Sequence, residues 1–415
     1  MKPAIGIYLS IILMCVYCIY MFSMALGPTL SFSDYRAQYT GALMIRKGVR
    51  SDLYSIDTQY NIQKKLFPNL QKKQLLPFLS PPAVAFILFP LSLFSYGQGY
   101  VVFGVALLFI LFLTSFFACR AVLISRKVQK LLYINQIDLL VIISAMLPLW
   151  LSALGGQLSI IWTLAFLISY LLAKQNKHVL SGLTLSIICM KPHLLIVPLV
   201  FLVIQKRWKM LVGVLIGGVF LALFSLYLVG WQGMVGYLQL LSHVSKNGAS
   251  NGVEIVAQPT LRGLLHSFLE AYLSMRVIDI IWIMGAGLVF CLVYKHWKKA
   301  DKPNLFDLQW ALMIVVTCFT SAHTHYHDLS LLLVPLIIIL NYWFYVLDKK
   351  NIIHRELFRY SKVMAILVVL VCSEGLLSVK IFVLIFYSIT IIYLLNQIKE
   401  NKNGAKPQVD ETASV

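Results

Sequence analysis

The residues able to do chemistry in this chain are few and stand out against an apolar background. Asp34 lies in Ser31-Phe32-Ser33-Asp34-Tyr35-Arg36, shortly after the first apolar run. A carboxylate near a membrane surface can take the proton of an attacking hydroxyl as general base. It can equally cap the helix that follows. A second group is Ser321-Ala322-His323-Thr324-His325-Tyr326-His327-Asp328. Its imidazoles suit phosphate or sugar binding, a metal ion or a polar helix end. The third is Lys191-Pro192-His193, set between two short apolar runs. A charge there is costly unless paired, and a phosphate is a natural partner for an ammonium and an imidazole. The bland alternative is a lysine reaching the interface. Gly155-Gly156-Gln157 reads as a tight turn offering one amide, and Arg262, with His243, Lys246, Glu254, Gln258 and His266, lies in a polar stretch. Arg262 can clamp a phosphate through its planar fork. Tyr35, Tyr39, Tyr54 and Trp231 can stack on sugar faces or serve as interfacial belt residues.

The elements that must position these groups follow from composition. The 415 residues are 60% hydrophobic and 12% charged, against about 25% charged in soluble domains. That excludes a cytosolic or disordered protein. At ~20 apolar residues per crossing, the composition predicts an all-α, polytopic integral membrane protein with about 12 membrane segments. The expected spans are 4–26, 98–119, 137–154, 158–173, 179–190, 193–205, 211–230, 277–294, 307–322, 328–347, 361–374 and 380–396. Residues 83–95, after Pro81-Pro82, read as a short helix along the outer face. The segments 179–190 and 193–205 are too short to cross at 1.5 Å per residue and read as half-helices meeting at Lys191-Pro192. Irregular backbone at that depth belongs inside protein or along a cavity.

The net charge of +19 is not a nucleic-acid signal. The basic residues form short clusters such as Arg126-Lys127, Lys206-Arg207-Trp208-Lys209 and Lys298-Lys299, with no polar readout residues between them. Short basic loops mark the cytoplasmic side. Both termini are then cytoplasmic, and Asp34, Lys191 and the histidines face outside, at a bacterial-type plasma membrane. The organisation expected is one domain over 1–396, with outer loops at 27–97 and 231–276, and a tail at 397–415. The cysteines, Cys15-x-x-Cys18 included, sit in or at the ends of apolar runs and read as small helix residues; no metal site and no cofactor is expected.

Taken in order, these landmarks resemble glycosyltransferase family 87. The set comprises Asp34-Tyr35 with Tyr39, Ala42, Gly48 and Leu53-Tyr54. It continues with the Pro81-Pro82 helix with Pro90, the Gly156-Gln157 turn, Lys191-Pro192 before Arg207-Trp208, and the His-rich segment ending in Asp328-Leu329. The resemblance covers roughly residues 30–335. It implies a GT-C-type helical bundle and inverting transfer of a hexose, mannose in the family's pattern, from a polyprenyl phosphate donor to a lipid or glycan hydroxyl. The family's catalytic aspartate maps onto Asp34, and the departing phosphate needs cationic donors, for which Lys191, His193, His325, His327 and Arg262 are the candidates. Two other classes remain open. A polymerase or ligase using lipid-linked sugars would place its reactive residues in a large late outer loop. A transporter of lipid-linked substrates would show internal repeats and midplane ionisable groups.

Overall fold

A computed structural model describes residues 3–27, 30–31, 33–128, 143–144, 146–247, 255–298, 303–339 and 377–400. The expected span 361–374, the tail beyond residue 400 and Glu254 lie outside the described residues, as do parts of the expected spans 137–154 and 328–347. Every regular element among the described residues is helical.

The chain opens with helix α1 (Pro3–Leu26) and then turns into α2 (Tyr35–Arg46) and α3 (Ile56–Leu66). Ser55 caps α3 by accepting a hydrogen bond from the Thr58 amide at 3.3 Å, which satisfies one of the first-turn donors. Helix α4 (Pro82–Ile87) starts on Pro82, whose fixed φ suits the first helical turn, and a 3-10 turn follows at Phe89–Leu93. The rest are α5 (Tyr96–Val128), α6 (Leu147–Leu154), α7 (Ser159–Lys174), α8 (His178–Leu185), α9 (Ile196–Ile204), α10 (Trp208–Asn247), α11 (Leu261–Leu269), α12 (Met275–Trp297), α13 (Pro303–Thr320) and α14 (Leu377–Glu400). Between α8 and α9 the backbone tightens into 3-10 turns at Ser186–Met190 and Pro192–Leu194, on either side of Lys191. Pro192 lacks an amide hydrogen and disfavours helix at the residue before it. Lys191 accordingly sits outside helical geometry, at φ −138° and ψ 70°.

The expectation of about twelve membrane segments is corrected. Among the described residues, three helices are long and apolar enough to cross a membrane: Tyr96–Phe117, Trp208–Val244 and Met275–Trp297. The remaining apolar helices, such as Ser159–Lys174, His178–Met190, Pro192–Ile204 and Leu305–Thr320, run to 10–17 residues. The physical reason is that apolar content measures what must leave water, not what it then meets. In α12 only 11% of the apolar window is buried within the protein, so Ile283, Met284, Leu288 and Leu292 face outward. In α13, Trp310 through Val315 have no exposed surface at all. The two helices carry the same kind of composition, yet one leaves it on the surface and the other packs it into the protein core.

That core is one continuous cluster running through α2, α5, α7, α9, α10, α13 and α14. Helices α8 and α10 meet backbone to backbone: a Cβ on Gly182 would stand 2.0 Å from the Met210 carbonyl oxygen, and one on Gly213 2.2 Å from that of Val179. Small residues permit such an approach between membrane-embedded helices. The result anchors the short Lys191 region against the longest helix of the described fold. Helix α10 itself breaks at Gly230, where φ is +67°.

Candidate functional site

Asp34 stands at the N-cap of α2, but its side chain makes no capping hydrogen bond. The carboxylate instead receives a hydrogen bond from Gln157 Nε2 at 2.6 Å on Oδ2. The glycine turn sets that contact. The Tyr35 amide donates to the Gly155 carbonyl at 3.2 Å. Gly156 has φ +79°, and a Cβ there would lie 2.4–2.5 Å from the Tyr35 backbone and Cβ. Only glycine fits both the left-handed backbone and the close approach. The turn is closed by the Gln157 amide donating to the Ser152 carbonyl at 2.7 Å and by Ser152 Oγ donating to the Gln157 carbonyl at 3.1 Å. Asp34 is partly buried while its neighbours Tyr35 and Arg36 are buried.

Tyr35 and Tyr39 lie inside an aromatic cluster with Tyr96, Tyr100 and Phe103, with ring centroids 5.2–5.8 Å apart. Tyr39 Oη donates to the Phe94 carbonyl at 2.8 Å. The two rings thus pack α2 against α5, and Tyr54 is buried against Phe78 and Tyr237. Trp231 is exposed. Arg36 is buried, donates to the Gln74 carbonyl and lies over the Phe67 ring.

The second cluster centres on Asp328, which is fully buried. Its Oδ1 accepts from Lys191 Nζ and from Ser159 Oγ at 2.6 Å. Its Oδ2 accepts from the His325 amide at 3.0 Å, and His327 Nε2 is 3.6 Å away. Burial alone would push this carboxyl up, but the Lys191 ammonium, His327 and the hydrogen bonds outweigh it and hold it well below the usual carboxylate range. His193, His323, His325 and His327 form a chain of rings with centroids 5.6, 4.6 and 5.6 Å apart in succession. Burial pushes His193, His323 and His327 well below the ordinary imidazole value, with the Lys191 charge working in the same direction. All three are therefore neutral near pH 7. Among the described residues no three of His, Cys, Asp and Glu are disposed to hold a metal ion.

Gln157 and Ser159 are two residues apart, so their Cα atoms are at most about 7 Å from each other. One short segment thus holds Asp34 by an amide and Asp328 by a hydroxyl. Asp34, Gln157, Lys191, His193, His325 and His327 are brought to this neighbourhood by the Gly155–Ser159 segment and the chain of rings.

Arg262 is placed differently. Its guanidinium is bidentate on Asp279, at 2.7 and 3.0 Å, and Nη1 donates to the Ala322 carbonyl at 3.3 Å. His266 Nε2 approaches the same carboxylate at 3.4 Å. The pair ties α11 to α12 and steadies the backbone just before His323. Ser159 and Asp279 join the site without having been named from sequence, while Gln258 and Thr324 were named only as members of the polar stretch around Arg262 and of the 321–328 segment. Asp279 did carry a signal, as an acidic residue inside an apolar run; Ser159 carried none. Lys246 falls on α10 with its side chain outside the described residues.

The arrangement offers one accessible carboxylate, one ammonium with N–H bonds to spare, and neutral hydrogen-bonding rings, all on a membrane-associated helical frame. Such a set can accept a proton at the carboxylate and donate hydrogen bonds to an anionic group at the ammonium. No curated protein and no solved structure matches the chain. Residues 78–321 match glycosyltransferase family 87, a segment that contains Gln157, Lys191, His193 and Arg262, with Asp34, Tyr35 and Tyr39 before it and His325, His327 and Asp328 after. With more than half of its length inside that match, this membrane protein belongs to glycosyltransferase family 87 and is a transferase of that general kind.

Proposed function

We propose that the protein moves a hexose, mannose in the family's pattern, from a polyprenyl phosphate donor to a hydroxyl of a lipid or glycan acceptor at the outer face of the membrane. Asp34 is the general base. Its carboxylate removes the proton from the acceptor hydroxyl, and the oxygen attacks the anomeric carbon from the side opposite the phosphate. The bond from that carbon to the phosphate oxygen breaks, and the lipid phosphate departs with its electron pair. A single displacement inverts the anomeric configuration, and the oxocarbenium character of the transition state parallels that of glycoside hydrolysis. Phosphate needs no proton to leave, so one carboxylate base is sufficient.

The observation that carries this reading is the state of Asp34: a partly exposed carboxylate at a helix start, unused as a cap, with one amide holding it in place. The Gln157 bond orients the carboxylate and leaves lone pairs for an incoming hydroxyl. Lys191 supports the leaving-group side. Its ammonium has three N–H donors and is engaged by Asp328, which leaves donors for a phosphate oxygen. His193, His325 and His327 supply further hydrogen bonds nearby. The bilayer holds the donor's lipid chain.

The test is sugar transfer from polyprenyl-phospho-mannose in membranes carrying wild type or Asp34→Asn. The variant keeps size and the Gln157 contact but not the base. Transfer is expected to fall by about 10²–10⁴-fold, the usual worth of a general base, with the protein still inserted. Transfer at the wild-type rate would refute the assignment.

A further inference from the structure

Among the described residues, three buried polar atoms around His323 have no hydrogen-bond partner: His193 Nε2, Gln258 Oε1 and Thr324 Oγ1. They are not scattered. Gln258 Nε2 lies 3.0 Å from His323 Nδ1, the His193 ring meets the His323 ring edge-on at 5.6 Å, and Thr324 follows His323 in the chain. Gln258 and Thr324 are fully buried. Buried polar groups in folded proteins are nearly always satisfied, and an orphan requires an explanation. Two orphans on side chains that meet the His323 ring, and a third on the residue that follows it, point to a ligand that supplies the missing partners.

The chemistry of that ligand follows from the atoms. A side-chain amide oxygen accepts, a threonine hydroxyl does both, and a neutral imidazole nitrogen donates or accepts according to tautomer. None carries charge, so an anion gains little here. A group with both donor and acceptor character, a hydroxyl, satisfies all three. We propose that His193, Gln258 and Thr324 form a neutral subsite that reads the hydroxyls of the donor hexose. It is separate from the charged Lys191–Asp328 pair that faces the phosphate. His193 follows Lys191 by two residues, which places the sugar-reading and phosphate-facing groups side by side, as the sugar and phosphate are in the donor. This rests on the donor chemistry proposed above and adds the residues that select its sugar. Sites built to hydrogen-bond a hydroxyl discriminate strongly, because an analogue without it leaves them unpaired.

The test compares two lipids on the purified full-length protein in lipid nanodiscs: polyprenyl-phospho-mannose and polyprenyl phosphate without the sugar. Gln258→Leu removes the amide, and Thr324→Val removes one hydroxyl at nearly constant shape. Each variant is expected to weaken binding of the sugar-bearing lipid by about tenfold or more while leaving polyprenyl phosphate binding unchanged, which also shows that the variant is folded. Equal losses on both lipids, or no loss on either, would overturn the subsite and leave the donor assignment standing. Wild type that binds neither lipid would overturn both.

Discussion

Two carboxylates, Asp34 and Asp328, hang from the same short segment and are treated in opposite ways. Asp328 is fully buried and saturated, with Lys191 and Ser159 on one oxygen and the His325 amide on the other. It also closes a capping box, bonding back to the N-cap residue His325 of its own 3-10 turn. Asp34 is partly exposed and has a single side-chain hydrogen-bond partner among the described residues, although it occupies an N-cap position whose usual bond it does not make. A carboxylate pinned on every side is an anchor for its cation. One held by a single neutral amide keeps lone pairs for a proton in flight. Environment, not residue type, assigns the roles, as when two carboxylates of one site are driven apart in behaviour by their surroundings.

The strongest challenge to that division is Asp328→Asn. Removing one partner of a buried ion pair leaves an uncompensated charge, so a stability loss of about 3–5 kcal/mol is expected, read as a lower midpoint of thermal unfolding in detergent. An unchanged midpoint would mean that Asp328 is no anchor. Next in size is Gly156→Ala. The positive φ and the contact with the Tyr35 backbone make it costly by about 1–3 kcal/mol, and the displaced Gln157 should lower transfer as well. Full transfer activity would show that the turn does not position Asp34.

A smaller effect concerns pH. His193, His323 and His327 are held neutral in the folded protein, below their unfolded value near 6.5. The unfolded chain therefore binds more protons under mildly acidic conditions, and stability falls as pH drops below about 6.5. Around pH 5.5 each histidine contributes a loss on the order of 1 kcal/mol. A midpoint that rises between pH 7 and 5.5 would contradict their burial. The smallest expected change is Arg262→Lys. It keeps charge but loses the bidentate grip on Asp279, so a modest drop in stability is expected, with polyprenyl phosphate binding retained. Loss of that binding alone would give Arg262 the phosphate-clamping role instead.

Much of this neighbourhood could be named from sequence one residue at a time, because polar groups are conspicuous in an apolar chain. Asp34, Gln157, Lys191 and the 323–328 segment each stood out. Their partnerships did not, since Gln157 meets Asp34 across 123 positions and Lys191 meets Asp328 across 137, and no local pattern encodes such distances. Gln258 looked like one polar loop residue among several until its partner His323 was known. The Lys191-Pro192 break was legible for a local reason, proline's missing donor. The number of membrane-crossing helices was not legible, because α12 and α13 read alike by composition while one faces outward and the other is buried. Only packing separates them.

The assignment of Asp34 to the reacting hydroxyl is tested most directly by single-turnover transfer with purified Asp34→Asn, with donor binding measured on the same preparation. Donor binding should be retained while transfer from polyprenyl-phospho-mannose falls by about 10²–10⁴-fold. Transfer at the wild-type rate with the donor bound would show that this carboxylate is not the base.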